Sequence, residues 1–376
     1  MKETDILVAG GGLAGLYLAY LLEQAGIDYL VVEARSRLGG RVLSLPSRGS
    51  DGQSDQYDLG PAWFWPGQPR LMHLVSELGL SVFPQYADGD LVFQDRDGAV
   101  QRDLEYSTMA GSLRISGGVG CLIERLSQRI PADRILSGEK VTKLSLSGAD
   151  IRATIQRDFG QTEIRSTNVA LALPPRLAAQ SIEFRPPLGQ RAMNAMRSIP
   201  TWMASHAKVI ATYDNPFWRK AGLSGDGISQ CGPLMEIHDA SPATSTRGAL
   251  FGFAGVPPPL RRSGKYDLAR LAVEQLAAMY GPNAAEPVDV LVQDWAREAL
   301  TATTDDENEQ LQQHPAYGTP QSLAHLWDGK FRFASTEMAP TFGGYLEGAL
   351  EAAEMAAAAS IAGYTISIAG RGRVTD

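Results

Sequence analysis

The chain has 376 residues, 44% of them hydrophobic and 20% charged, with a net charge of −8. That length supports a substantial core and about two domains, while the acidic balance excludes the basic footprint that a nucleic-acid partner needs. Two cysteines, Cys121 and Cys231, exclude a disulfide framework, and the five histidines contain no i, i+4 ligand pair, so no metal is expected.

Residues 5–9 read as a short apolar strand. Gly10-x-Gly12-x-x-Gly15 turns that strand into an apolar helix stopping at Gly26, and a second strand over 29–33 ends on Glu33. Gly10 permits the tight turn, Gly12 lets a pyrophosphate approach the backbone, and Gly15 lets helix and strand pack closely. Leu13 and Ala14 open the helix, where free N–H groups and the positive dipole end favour an anion. Glu33, about twenty residues on, is placed to accept from a ribose 2′-hydroxyl and repels a 2′-phosphate, which counts against NADP. Beyond it, Ala34-Arg35-Ser36-Arg37-Leu38-Gly39-Gly40-Arg41 supplies a second pyrophosphate-facing segment, which suits FAD better than NAD.

Here the chain resembles the flavin-containing amine oxidase superfamily of monoamine, polyamine and L-amino acid oxidases, in which E-A-R-x-R-x-G-G-R follows the glycine fingerprint. The resemblance implies an α/β protein. A Rossmann-like FAD-binding domain of three-layer ββα build, over 1–62, 112–185 and 318–376, carries a mixed α+β substrate domain over 63–111 and 186–317.

The middle of the chain continues the likeness. Asp58-Leu59-Gly60-Pro61-Ala62-Trp63 matches a D-x-G-G-x-W segment that runs beside the flavin ring, with Pro61 in place of the second glycine and so without its N–H. Residues 69–79 have helical periodicity through Leu71, Leu74, Val75 and Leu78. Residues 81–103 suggest hairpins turning at Asp88-Gly89 and Asp97-Gly98. Arg114 to Leu122 is expected to open a further helix, 135–146 to pair with 151–156, and 168–173 to form a strand ended by Pro174-Pro175. The resemblance gives Val141 a backbone contact to the adenine end of the cofactor.

Residues 197–219 resemble the family motif V-P-x-G-x-x-x-K-x-x-x-x-Y-x-x-P-F-W, which makes Lys208 the lysine that holds a water against flavin N5. A cation fixed there also stabilises superoxide. Asp294-Trp295 resembles a dipeptide near the flavin. Tyr317, in His314-Pro-Ala-Tyr317-Gly318, and Tyr345 match the two walls of an aromatic cage whose ring faces attract an ammonium and orient the neutral amine. Ala316 stands where covalent relatives have a cysteine, so FAD is expected to be non-covalent. Phe333-Ala-Ser335-Thr336-Glu337 through Gly344-Tyr345-Leu346-Glu347-Gly348-Ala349 matches the last family block, with Ser335 for a glycine. The alanine-rich helix after it, over about 345–362, would aim its N-terminus at the flavin's N1/C2 carbonyl.

The expected reaction is oxidation of an amine to an imine, with oxygen as electron acceptor and hydrogen peroxide as product. A desaturase or C–C oxidase of the phytoene or protoporphyrinogen type, and a flavin-binding protein without turnover, stay open. Trp63, Trp65 and Trp202 suggest an aromatic-rich cavity. No apolar run reaches the length of a membrane span, the tail over 371–376 is polar, and the N-terminus begins its strand at once, so a cytoplasmic protein, bacterial in style and without a membrane partner, is expected.

Overall fold

The computed structural model describes residues 1–244, 246–309 and 313–371, with side chains as far as residue 362. The end of the polar tail, 372–376, lies outside the described residues. Lys2–Ala9 is central in an eight-stranded sheet, hydrogen bonded in parallel to Tyr29–Glu33 on one side and to Gln161–Leu171 on the other. Buried parallel strands need apolar side chains on both faces. Accordingly Ile6 and Val8 enter one core cluster and Leu7 and Ala9 the other.

The helix Leu13–Gln24 is apolar nearly all round and buried, as a helix enclosed by protein should be. It packs in a core shared with Leu346, Leu350, Ala353 and Ala357 of the long helix Leu346–Arg371. Within the sheet, the eleven-residue strand Gln161–Leu171 pairs with Lys2–Ala9 along one edge and serves two further partners along the other. Its first half pairs antiparallel with Asp150–Gln156 and its last residues pair in parallel with Phe331–Phe333. One strand therefore joins the parallel layer to a β-meander.

A second, seven-stranded sheet runs in the order Asp289–Asp294, Ala207–Tyr213, Gly248–Ala254, Leu234–Asp239, Leu223–Ser229, Asp90–Gln94, Val100–Leu104. The helix Leu268–Tyr280 covers one face through Ala272, Leu276 and Met279, which pack with Val209 and Ala211. The other face, through Ile210 and Phe251, packs with Tyr57, Leu59 and Trp63. Among the described residues no helix is long and apolar enough to cross a membrane.

Four expectations need correction. Residues 135–146 form two strands: Ile135–Ser137 joins Tyr29–Glu33 in parallel, and only Lys140–Ser147 makes the hairpin with Asp150–Gln156. Asp97-Gly98 turns a hairpin, but Asp88-Gly89 does not, because Val82–Pro84 pairs with Leu113–Ile115 and Asp90–Gln94 pairs in parallel with Leu223–Ser229. Arg114 lies on that short strand and the helix opens only at Gly120. There the Arg114 guanidinium is buried and donates to the carbonyls of Ser241 and Ala240. Finally, the alanine-rich helix runs on to Arg371.

Candidate active site

A cavity of about 900 Å³ extends from the first glycine turn to the second sheet, at the upper end of the range for small-molecule sites. Its nucleotide end is made largely of backbone. Gly10, Gly12, Leu13, Ala14, Gly39, Gly40 and Val141 line it. The two glycine turns are bonded to each other, the Gly39 N–H donating to Gly11 O at 2.8 Å. Gly10 takes φ 113°, a left-handed value that favours glycine. No side chain caps the helix that begins at Leu13, and its first turn holds no acid, so its N–H groups are open to an anion.

Glu33 is buried on this wall. Its two oxygens accept from the N–H groups of Gly11, at 2.6 Å, and Arg35, at 2.7 Å, which fixes the carboxylate at the end of its strand. The three arginines that follow have separate partners. Arg35 donates to Thr301 and Glu298, at 2.8 and 3.2 Å, Arg37 to the carbonyls of Leu38, Gly40 and Val42, and Arg41 to both oxygens of fully buried Glu337, at 2.7 and 3.3 Å. Ala34, Arg35 and Arg41 line the cavity; Glu337 lies behind the wall as an anchor for Arg41. Gly15 also stands behind it, packed so closely that a Cβ would sit 1.9 Å from Gly10 O.

The other end is built from side chains. Lys208 lies on Ala207–Tyr213, whose alternate residues Val209 and Ala211 face the covering helix, so Lys208 points toward the cavity. It is 3% exposed, donates to Gly60 O at 3.1 Å and sits 3.9 Å above the Phe251 ring. Burial lowers its pKa to about 7, partly offset by nearby Asp58. The carbonyls before Pro61 are both held, Gly60 by Lys208 and Leu59 by the Trp295 indole at 3.0 Å. The strap Gly60, Pro61, Ala62, Trp63 thereby lines the cavity even though proline removes an N–H there.

Thr336 steadies the helix entrance, accepting from Gly344 N at 2.9 Å and donating to Tyr345 O at 3.0 Å. Thr336, Tyr345 and Leu346 line the cavity. Beside them the Ser335 hydroxyl is buried without a partner among the described residues. An orphaned hydroxyl in a wall of free backbone donors fits a polar cofactor such as FAD.

The two tyrosines of the expected cage are placed differently. Tyr345 faces the cavity, but Tyr317 does not line it, and its phenol donates to Pro200 O at 2.9 Å. His314 contacts both rings, stacked on Tyr345 at 4.8 Å and edge-on to Tyr317 at 5.6 Å. The reason is local: Gly344 has no side chain, and a Cβ there would lie 2.8 Å from His314 Nε2. A half-buried histidine with a buried ring nitrogen also stands there. His206 lines the cavity with an Nδ1 that has no partner among the described residues, and burial beside Arg261 lowers its pKa. Glu236 on the second sheet lines it too. His206 falls at an unspecified position of the 197–219 motif, two residues before Lys208, and Glu236 lies outside every motif, so nothing in the sequence separates either from a surface residue.

Comparison with known proteins agrees with this geometry. The family model described as flavin containing amine oxidoreductase matches residues 95–361, and that of an NAD(P)-binding Rossmann-like domain matches 8–78. The chain is 24% identical to a probable flavin-containing monoamine oxidase A of Dictyostelium discoideum, over 92% of this chain and 95% of that protein. It is 25% identical to putrescine oxidase of Kocuria rosea, over 95% of each. A redesigned putrescine oxidase superposes with a TM-score of 0.78 at 21% identity, covering 96% of this chain and 99% of that one. Cyclohexylamine oxidase from Brevibacterium oxydans superposes with a TM-score of 0.75 at 19% identity, again over 96% and 99%.

Proposed function

The chain belongs to the flavin-containing amine oxidoreductase family, and from that premise we propose that it oxidises the C–N bond of an amine to an imine, with non-covalent FAD as cofactor and oxygen as final acceptor. The chemistry FAD supplies when bound is acceptance of a hydride at N5 from the amine α-carbon, with oxygen then taking the electrons to give hydrogen peroxide.

The observation that carries the reading is Lys208, a buried lysine aimed from a strand into the same cavity as the glycine turns. Held by Gly60 O and the Phe251 face, its nitrogen keeps further positions with which to fix a water or stabilise developing negative charge. Tyr345 offers a ring face to an entering ammonium. The helix beginning at Leu346 directs its positive end to the cavity. Glu347 in its first turn is fully buried and turned away to accept from Arg70 N and Leu71 N, at 3.1 and 2.8 Å. No strong acid or base is needed on the protein, so activity rises with pH as the substrate amine loses its proton.

Non-covalent attachment is supported by Ala316 before Tyr317 and by Cys121 and Cys231, neither of which lines the cavity. Acid precipitation then leaves the flavin in the supernatant; flavin in the pellet overturns the reading. A division into 1–62, 112–185 and 318–376 for the cofactor and 63–111 and 186–317 for the substrate belongs to the same proposal, supported by the two sheets. So does a cytoplasmic site of action, supported by two free thiols.

The deciding experiment records the visible spectrum of the holoenzyme without oxygen, before and after a panel of primary amines, polyamines and amino acids. Flavin bands that bleach establish amine oxidation. Bands that persist favour a desaturase or a binding protein, and bands absent even after FAD is added sink the flavoprotein assignment.

A further inference from the structure

The second sheet sets three cavity residues in one row across three neighbouring strands. Phe253 is the register partner of Lys208 on one side and of Glu236 on the other. Directly paired residues of antiparallel strands share a face, and all three line the cavity. Two strand spacings, about 10 Å, separate Lys208 from Glu236. A register shift between Leu234 and Glu236 lets consecutive residues Met235 and Glu236 both reach the wall, as a bulge re-aims a side chain.

Glu236 is held from beneath. Its Oε1 bonds His238 Nε2 at 2.8 Å, and His238 Nδ1 bonds Asp226 Oδ1 at 2.9 Å. The imidazole is fully buried, with Trp63 edge-on at 4.8 Å. Asp226 is anchored in turn by the N–H and hydroxyl of Thr108, each at 3.1 Å. Burial opposes the charge on His238, but the hydrogen bonds to Asp226 and Glu236 prevail and raise its pKa. Two carboxylates flank the one imidazole, and the outer of them, Glu236, is on the cavity side.

Glu236 Oε2 has no protein partner among the described residues. The other carboxylates of the cavity wall, Glu33 and Glu139, belong to the nucleotide end. The arginine at the substrate end is committed: Arg261 donates to Asp294 and to the carbonyls of Ser205 and Val256. An α-amino acid carboxylate therefore finds no free guanidinium there. Phe253, Met235 and Trp63 supply an apolar wall between the ends of the row.

We propose that Glu236, positioned by His238, binds a second ammonium group of the substrate. The preferred substrate is then an α,ω-diamine or polyamine, oxidised at one end beside Lys208 and anchored at the other by Glu236. This rests on the amine-oxidation reading above, and its test separates the two. Holoenzyme is given putrescine or n-butylamine, with thermal stabilisation read as binding and anaerobic flavin bleaching read as oxidation. Putrescine stabilises the wild type more than butylamine, and Glu236→Gln abolishes the difference. The kcat/KM ratio of putrescine over butylamine falls roughly fiftyfold in that variant, as expected for one lost charge-assisted hydrogen bond. His238→Gln lowers the same ratio through the KM for putrescine, whereas a structural fault would depress both amines alike. Equal stabilisation by the two amines, or a ratio unchanged in Glu236→Gln, overturns the subsite even if both amines bleach the flavin. Stabilisation by putrescine through Glu236 without bleaching keeps the subsite and overturns the oxidase reading.

Discussion

The two ends of the cavity are built on opposite principles. At the nucleotide end the wall is peptide backbone from two short loops, Gly10 to Ala14 and Gly39 to Arg41, bonded to each other. The charged groups there are already paired or fixed, as Arg41 is with Glu337 and Glu33 with two N–H groups. At the substrate end the wall is side chains from segments far apart in sequence: Trp63, Lys208, Glu236, Phe253, Trp295, Tyr345. Their charged groups are left partly unsatisfied. A backbone wall recognises a constant ligand and tolerates little change, whereas a side-chain wall can be altered residue by residue without disturbing the fold.

Gly15→Ala tests the backbone-built end and carries the largest expected effect. Its Cβ would overlap Gly10 O, which only separation of helix and turn relieves. The expected cost is about 3 kcal/mol, with bound flavin lost, measured by denaturant midpoint and visible absorbance. Unchanged values would mean that the close approach does not matter to the cofactor.

Lys208→Met tests the side-chain end. Flavin reduction by amine, or reoxidation by oxygen, is expected to slow about a hundredfold in stopped-flow measurements, yet the protein should melt higher, because a charge disfavoured by burial is gone. The sign follows from the shift. Burial lowers the folded pKa from 10.5 to about 7, so between these values the unfolded chain binds the additional proton and stability rises with pH. The variant flattens that slope. In the wild type, any step using the ammonium charge fades as pH rises through about 7; a reoxidation rate without such a titration argues against a charged role.

Glu337→Gln weakens a buried ion pair behind the backbone wall, leaving the Arg41 guanidinium without its bidentate partner. A loss of about 2 kcal/mol in urea unfolding is expected, and no loss would make the pair ornamental. The smallest effect is expected from His314→Ala. Removing the imidazole from the face of Tyr345 should lower KM for bulky amines a few-fold relative to small ones. Equal changes for both would show that His314 does not restrict entry.

Legibility followed the same division. The strand over 29–33, the helix after Gly12 and the acid at its place were readable because turn geometry and apolar runs act within a few residues. Gly344 was readable too, but not that its lack of a side chain admits His314 beside Tyr345. Lys208 emerged only through a family resemblance. Its strand is buried on both faces, so no alternation of apolar and polar residues marks which side it occupies. Residues 135–146 misled for a related reason: Ile135 to Ser137 and Lys140 to Ser147 share β character, and only their different partners separate them.

By itself, then, the sequence determined the dinucleotide-binding unit and the family, since these rest on local backbone conformation and on contiguous motifs. The tertiary structure decided which buried side chains face the cavity. Strand register placed Lys208, Phe253 and Glu236 in one row, and packing put His238 beneath Glu236 and His314 against Tyr345. Those juxtapositions depend on pairing between strands distant in the chain, where a shift of one residue would turn each side chain to the other face of the sheet.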